Sequence, residues 1–414
     1  MRRVTARTVV VAPDSFKGSA TAAEVAEALG AGWHSVRPGD TVVLAPTADG
    51  GEGTLDAFAV AVPGAQRRPV RVLGPSGDTV DAAWLALPDG SALVELAATG
   101  GLGLLRSPAP FDAHTVGFGQ AIAAALDAGA TSLLLAIGGS ASTDGGAGML
   151  TALGAWLLDA DGQPVARGNR GLADLARVDL SGLRPLPAGG ARILSDVTSP
   201  LLGPDGAAAV FGPQKGATPE DVPRLDAGLA RLVRALGVAL EAGPEGADCP
   251  HSDAGGAAAA VTASAVAPAS AASAVAPASA AASVVAVDEP GTGAAGGTGY
   301  GLRVWGATMA PGAAAVADAL GLPERIASAD LVITGEGRYD SQSASGKAPE
   351  HVAALARRAG IPVLLAAGAI TAEPHGFADA VALTDLAGGT DAALADPLRW
   401  ARAAGAVLAS RAAD

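Results

Sequence analysis

Arginine carries almost all of the positive charge in this chain: of 27 Lys and Arg residues, only Lys17, Lys215 and Lys347 are lysine. All three stand in Gly-rich loops: Asp14-Ser15-Phe16-Lys17-Gly18-Ser19, Gly212-Pro213-Gln214-Lys215-Gly216 and Ser345-Gly346-Lys347-Ala348-Pro349. A compact ammonium makes a point-charge contact where a planar guanidinium makes a fork. Its retention at such loops suits the holding of phosphate or carboxylate. Chance survival on a solvated surface is the competing reading, and it weighs most at Lys215.

Carboxylates cluster in similar loops. Residues 48–54 read Ala-Asp-Gly-Gly-Glu-Gly-Thr, placing Asp49 and Glu52 around Gly50 and Gly51. That set suits metal coordination or general-base work; the alternative is a tight turn capped by Asp. Residues 13–19 bring Asp14, Ser15 and Lys17 to the start of a helix, which favours anions. There Asp14 or Ser19 could instead be a helix cap, but a cap does not explain a cation at that end. In residues 137–148, Gly138, Gly139 and Ser140 offer backbone amides to a phosphate or carboxylate. Asp196 follows Ser195 in a loop where an Asp-initiated turn is an equal reading. The densest segment begins at Thr334 with Gly335, Glu336, Gly337, Arg338 and Asp340, and runs on to Lys347. Magnesium keeps several waters, so one or two of these carboxylates would suffice for it.

These loops must be carried by strands. Residues 9–12, 41–44, 132–137 and 331–334 are short, largely apolar runs leading to loops just described, and 363–366 is a further apolar run. Helical spacing over 21–33, from 54 and from 149, over 349–359 and near 391–410 completes a β-loop-α rhythm, the mark of a parallel sheet. Residues 69–73, 80–87 and 92–96 break that rhythm as strands joined by Gly, Pro and Asp turns. The expected fold class is α/β: a flavodoxin-like or Rossmann-like parallel three-layer domain (1–65 and 292–414) with a second α/β mixed-sheet domain (66–291) inserted into it.

The remaining features bound the function. The chain has 414 residues and a net charge of −14, which does not offer the electrostatic footprint of a nucleic-acid binder and disfavours anionic membranes. The single cysteine, Cys249, excludes a disulfide framework and a cysteine-based zinc site. Four apolar residues at 9–12 are too few for a signal-peptide core. Residues 263–271 and 272–280 are identical, Ala-Ser-Ala-Val-Ala-Pro-Ala-Ser-Ala, within a low-complexity insert at about 254–287. Ala, Ser and Pro there read as a surface insert rather than a membrane helix. A soluble cytoplasmic protein is expected, with a homodimer left open. Gly291-Thr-Gly293-Ala-Ala-Gly296 fits a dinucleotide fingerprint only in spacing, since no clean strand precedes it. The P-loop pattern is absent, and the five histidines lack ligand spacing.

Taken in order, these segments resemble the type-1 glycerate kinase family over nearly the whole chain apart from the insert. The matching stretches are 12–19, 48–54, 137–140 with 144–149, 201–216, 294–297, and 335–338 with 345–349. The resemblance implies phosphorylation of D-glycerate by ATP with Mg²⁺, 2-phosphoglycerate being the favoured product, in a site between the two domains. On that reading Lys17, Asp196, Arg338 and Lys347 are catalytic. Asp49, Glu52 and Glu336 hold the metal. Ser15, Gly50, Gly51, Gly138, Gly139, Ser140, Lys215, Gly335 and Gly337 bind the nucleotide. A kinase of another small hydroxy-acid, or a non-catalytic sensor of a phosphorylated metabolite, remains as an alternative.

Overall fold

The computed structural model describes residues 6–16, 18–242, 284–340 and 348–412. Lys17, Lys347, Cys249 and the Ala/Ser/Pro repeats lie outside the described residues. In chain order the strands are β1 (Thr8–Pro13), β2 (Thr41–Leu44), β3 (Gln66–Leu73), β4 (Thr79–Ala86), β5 (Ser91–Glu95), β6 (Ser132–Ala136), β7 (Trp156–Leu158), β8 (Arg177–Asp179), β9 (Ala191–Leu194), β10 (Thr308–Ala310), β11 (Leu331–Gly335), β12 (Arg338–Tyr339), β13 (Val363–Ala367), β14 (Ala369–Ile370) and β15 (Asp379–Ala382).

Five strands form an all-parallel sheet in the order β15-β13-β11-β1-β2. Counted along the chain this is 2-1-3-4-5, the flavodoxin-like order, whose ligand crevice lies beyond the carboxyl ends of the first and third strands. Those strands are β1 and β11. Both faces of β1 are covered, as a continuous apolar run requires. Val9 and Val11 face one core with helices Ala22–Val36 and Pro397–Arg411, while Val10 and Ala12 face another with helix Ala348–Ala359.

The second sheet runs β10-β9-β6-β5-β4-β3. β10, β9, β6 and β5 are parallel, and β4 and β3 continue antiparallel. Leu133 and Leu135 face the core under helices Val116–Asp127 and Thr298–Val304. Leu134 and Ala136 face the opposite way, onto Leu55 and Phe58 of helix Thr54–Ala61, Val316 of helix Gly312–Ala319 and Leu320 just after it.

Sheet membership locates the crossings between the two units differently from the sequence. Helix Thr54–Ala61, expected before the crossing at 65, already packs on the second sheet. β10, expected after the return at 292, still pairs with β9. The three residues of β10 are too few to carry a periodicity that sequence reading could detect. The expected insert also ends early, because Val285 is buried in the second core and Val287 O accepts from Leu201 N at 2.8 Å. The single helix expected near 391–410 is two, Thr390–Ala395 and Pro397–Arg411. Asp396 caps the second by accepting from Arg399 N at 3.2 Å, and Pro397 fits its first turn. No helix among the described residues is long and apolar enough to cross a membrane.

Helices Ala22–Val36 and Pro397–Arg411 cross where both carry glycine. A Cβ on Gly32 would lie 2.0 Å from Arg402 O, and one on Gly405 2.2 Å from Leu29 O. Both neighbours are backbone, so neither can swing aside. Gly405→Ala is therefore expected to destabilise the first unit by about 1–3 kcal/mol through overpacking, read as a fall in Tm by calorimetry.

Candidate functional site

The carboxyl ends of both parallel arrays converge on one loop, residues 45–53. On the first sheet, Asp14 N donates to Gly335 O at 2.8 Å and Thr47 N to Pro13 O at 2.9 Å. On the second, β5, β6 and β9 end in register at Glu95, Ala136 and Leu194. There Gly138 N donates to Gly50 O at 3.1 Å, and Gly53 N and Leu55 N donate to the Glu95 carboxylate at 3.2 and 2.8 Å. The glycines make this clasp sterically feasible. Gly50 has φ +87°, and a Cβ there would meet Leu194 O at 2.5 Å. A Cβ on Gly138 would meet Gly51 Cα at 2.5 Å.

A cleft of about 410 Å³ opens beside this loop. Ser15, residues 18–21 and Glu24 line it, together with Glu52, Gly53 and Asp56 and with Glu95, Ala97 and Ala98. Ser15 is 6% exposed, and its Oγ has no hydrogen-bond partner among the described residues. Neither Asp14 nor Ser19 caps the following helix. Thr21 does, in a reciprocal capping box with Glu24, while Asp14 Oδ1 accepts from Ser15 N at 2.7 Å.

The structure gathers Ser15, Asp49, Gly50, Gly51, Glu52, Gly138 and Gly139 around this loop. Asp49 is half-buried and accepts from Gly51 N at 3.0 Å, holding the turn. Asp196 lies on the β9 side of the same loop and accepts from Ala313 N at 2.9 Å, so it anchors the first turn of helix Gly312–Ala319. Desolvation of its carboxyl raises its pKa, and neighbouring Asp49 raises it further. Gly335 and the buried Glu336 follow β11, next to β1. Arg338 is exposed on the short β12–β14 ladder beyond them, with Gly337 leading into it.

Ser140 and Lys215 belong to a different environment. Residues 140–150 are buried throughout, and the amides there serve the fold. Ser142 N bonds Ser140 Oγ at 3.2 Å; Gly146 N and Gly148 N bond Asp144 at 3.1 Å; Gly145 N bonds Gly296 O at 3.0 Å. Asn169 Nδ2 holds Thr143 O at 2.8 Å. Lys215 is 2% exposed and its ammonium donates to Ser142 O. Burial pushes its pKa down to about 7 despite the nearby Asp144. The glycines of the weak fingerprint explain themselves in the same way: a Cβ on Gly293 would strike Pro200 O at 2.1 Å and one on Gly296 Ser142 O at 2.0 Å. They allow a close backbone approach beneath the 138–148 loop.

Sequence reading overlooked Glu95. It is 5% exposed, burial pushes its carboxyl up to about 7 against the pull of the two amides, and Asp56 and Glu52 add to the rise. The available signal was a lone carboxylate within the apolar run Ala92–Leu96.

The model of the glycerate kinase family matches residues 9–286 and 269–412. The "Glycerate 2-kinase" of Escherichia coli (strain K12) is 40% identical over 368 residues, 88% of this chain and 85% of that protein. The "Glycerate kinase" of Bacillus subtilis (strain 168) is 39% identical over 376 residues, 89% and 86% of the two chains. A crystal structure described as a putative glycerate kinase 2 from Salmonella typhimurium LT2 superposes with a TM-score of 0.74 at 38% identity, covering 98% of both chains.

Proposed function

Because this chain belongs to the glycerate kinase family and is thereby a phosphotransferase acting on an alcohol, we propose that it transfers the γ-phosphoryl group of ATP to D-glycerate with Mg²⁺, giving 2-phosphoglycerate. The observation that carries this reading is the convergence of two strand-end arrays on the 45–53 loop. That convergence sets carboxylates around a cleft between two units, where two substrates could meet. Phosphoryl transfer asks mainly for positioning and charge neutralisation, which such a frame supplies.

Magnesium fits the donor chemistry. Among the described residues no three His, Cys, Asp or Glu form a metal cage, but Mg²⁺ bound to phosphates needs only one or two carboxylates. Asp49, Glu52 and Glu336 are the proposed holders. Asp49 is held by Gly51 N and lies close to Asp196. When bound, the cation would neutralise charge on the phosphates. Asp49→Asn is expected to raise the Mg²⁺ concentration for half-maximal rate by about 10-fold or more, measured by titrating Mg²⁺ in an ADP-release assay.

Lys17, Lys347 and Arg338 are proposed to hold the phosphates or the substrate carboxylate. Asp196 is proposed to accept the hydroxyl proton, its raised pKa making it a stronger base. Closure of the two units would exclude water and limit ATP hydrolysis. A coupled ADP-release assay over a panel of hydroxy-acids, with phosphorus NMR of the product, tests activity and phosphorylation position together. Turnover with another hydroxy-acid and none with D-glycerate would replace the substrate; no Mg²⁺-dependent turnover at all would favour the sensor.

A further inference from the structure

We propose, resting on the reading above, that Ser15 and Glu95 form a subsite for a hydroxyl group of the acceptor acid, on the β1–β5 side of the cleft. Ser15, which the resemblance assigned to the nucleotide, lines the cleft with a buried Oγ that has no partner among the described residues. Satisfying a hydroxyl matters, because a buried polar group left unpaired is costly. Glu95 lines the same cleft from the opposite unit. Its two oxygens are held by Gly53 N and Leu55 N, so the carboxylate has a fixed direction and retains lone pairs for further bonds. Gly53 stands between the two side chains: its own Cβ position is 3.7 Å from Ser15 Cβ, while its amide bonds Glu95.

The charge of this wall specifies the ligand atom. Glu24, Glu52, Asp56 and Glu95 all line the cleft. Beside these carboxylates a hydroxyl is the fitting group, donating to Glu95 and exchanging a bond with Ser15 Oγ, while the carboxylate of the acid is left to the cations proposed above. The acid therefore binds with its carboxylate turned away from Glu95. Asp196 follows β9, two strands away from β5, or about 10 Å at the usual strand spacing. Hydroxyl recognition at Glu95 is thus separable from events at Asp196.

The test compares three acids on the full chain: D-glycerate, D-lactate, which lacks the 3-hydroxyl, and 3-hydroxypropionate, which lacks the 2-hydroxyl. KM or the competitive inhibition constant is measured for wild type, Glu95→Gln and Ser15→Ala. A lost hydrogen bond to a charged group predicts about 10- to 100-fold weaker binding of D-glycerate by E95Q, with the same loss for one deoxy acid and less than about 3-fold for the other. The insensitive acid is the one lacking the hydroxyl that Glu95 holds. Equal losses for all three acids would show that Glu95 only anchors the loop, and no loss for any would remove it from the site; either result overturns the proposal. S15A removes an atom without a partner, so it leaves folding intact and carries the same pattern if E95Q does not fold. Wild-type protein that releases no ADP with D-glycerate overturns the proposed function itself, a failure distinguishable from that of the subsite alone.

Discussion

Gly138→Ala is expected to lower kcat/KM by about 100-fold while costing about 1–3 kcal/mol of stability, an imbalance that marks a positioning defect. Gly138 does not have a positive φ, so alanine fits its backbone conformation. Space alone forbids the side chain: a Cβ would lie 2.5 Å from Gly51 Cα, 3.2 Å from Gly51 N and 3.4 Å from Gly50 O. All three are backbone atoms of the loop that carries Asp49 and Glu52. The loop must give way, and displacement of reacting groups by about 1 Å is enough to cost about 10²-fold in rate. Gly139→Ala is the useful contrast. Gly139 is exposed at φ +77°, and its nearest obstacle is the Ala97 side chain at 3.2 Å, so strain rather than loop displacement should dominate. Steady-state kinetics and thermal unfolding of both variants decide the matter. A G138A enzyme with nearly normal kcat/KM would show that the clasp does not position the chemistry.

That clasp was only partly visible in the amino-acid order. Strand ends were legible because buried parallel strands are continuous apolar runs. Val9–Ala12 and Leu331–Thr334 stop where polar loop chemistry begins, and the structure puts Asp14 and Glu336 just beyond them. The role of glycine was not legible. Residues 138–148 and 212–216 share a Gly-rich appearance with ligand loops, yet most amides of the first are bonded within the protein and Lys215 of the second is sealed beneath it. Composition cannot separate a glycine that admits a phosphate from one that admits a neighbouring backbone. Glu95 was missed for a related reason: a single carboxylate inside a short strand carries no sign of whether it is buried or solvated. Its burial comes with helix Thr54–Ala61, which packs on the second sheet and donates Leu55 N to the carboxylate.

Lys215 and Glu95 together should give the folding stability a minimum near neutral pH. Lys215 has a folded-state pKa near 7 against 10.5 for an ordinary lysine. Between those values the unfolded chain binds the proton that the folded protein has released, so stability from this group rises with pH across pH 7–10.5. Glu95 is displaced upward, from 4.5 to about 7. There the folded protein keeps a proton that the unfolded chain has lost, so stability from this group is full below pH 4.5 and falls as pH rises to 7. Integrated over their windows, the two effects have upper limits of about 5 kcal/mol for Lys215 and about 3 kcal/mol for Glu95. Other groups titrate too, so the informative quantity is the difference between wild type and variant at each pH. Lys215→Met should diverge from wild type steadily above pH 7, and Glu95→Gln should diverge between pH 4.5 and 7, each flat in the other window. Chemical denaturation from pH 4.5 to 10 measures both. A K215M difference that stays constant through the alkaline range would mean that the buried ammonium keeps its proton. Asp144 and the Ser142 carbonyl would then outweigh desolvation, and the 138–148 loop would be held by a permanent charge rather than by a titrating one.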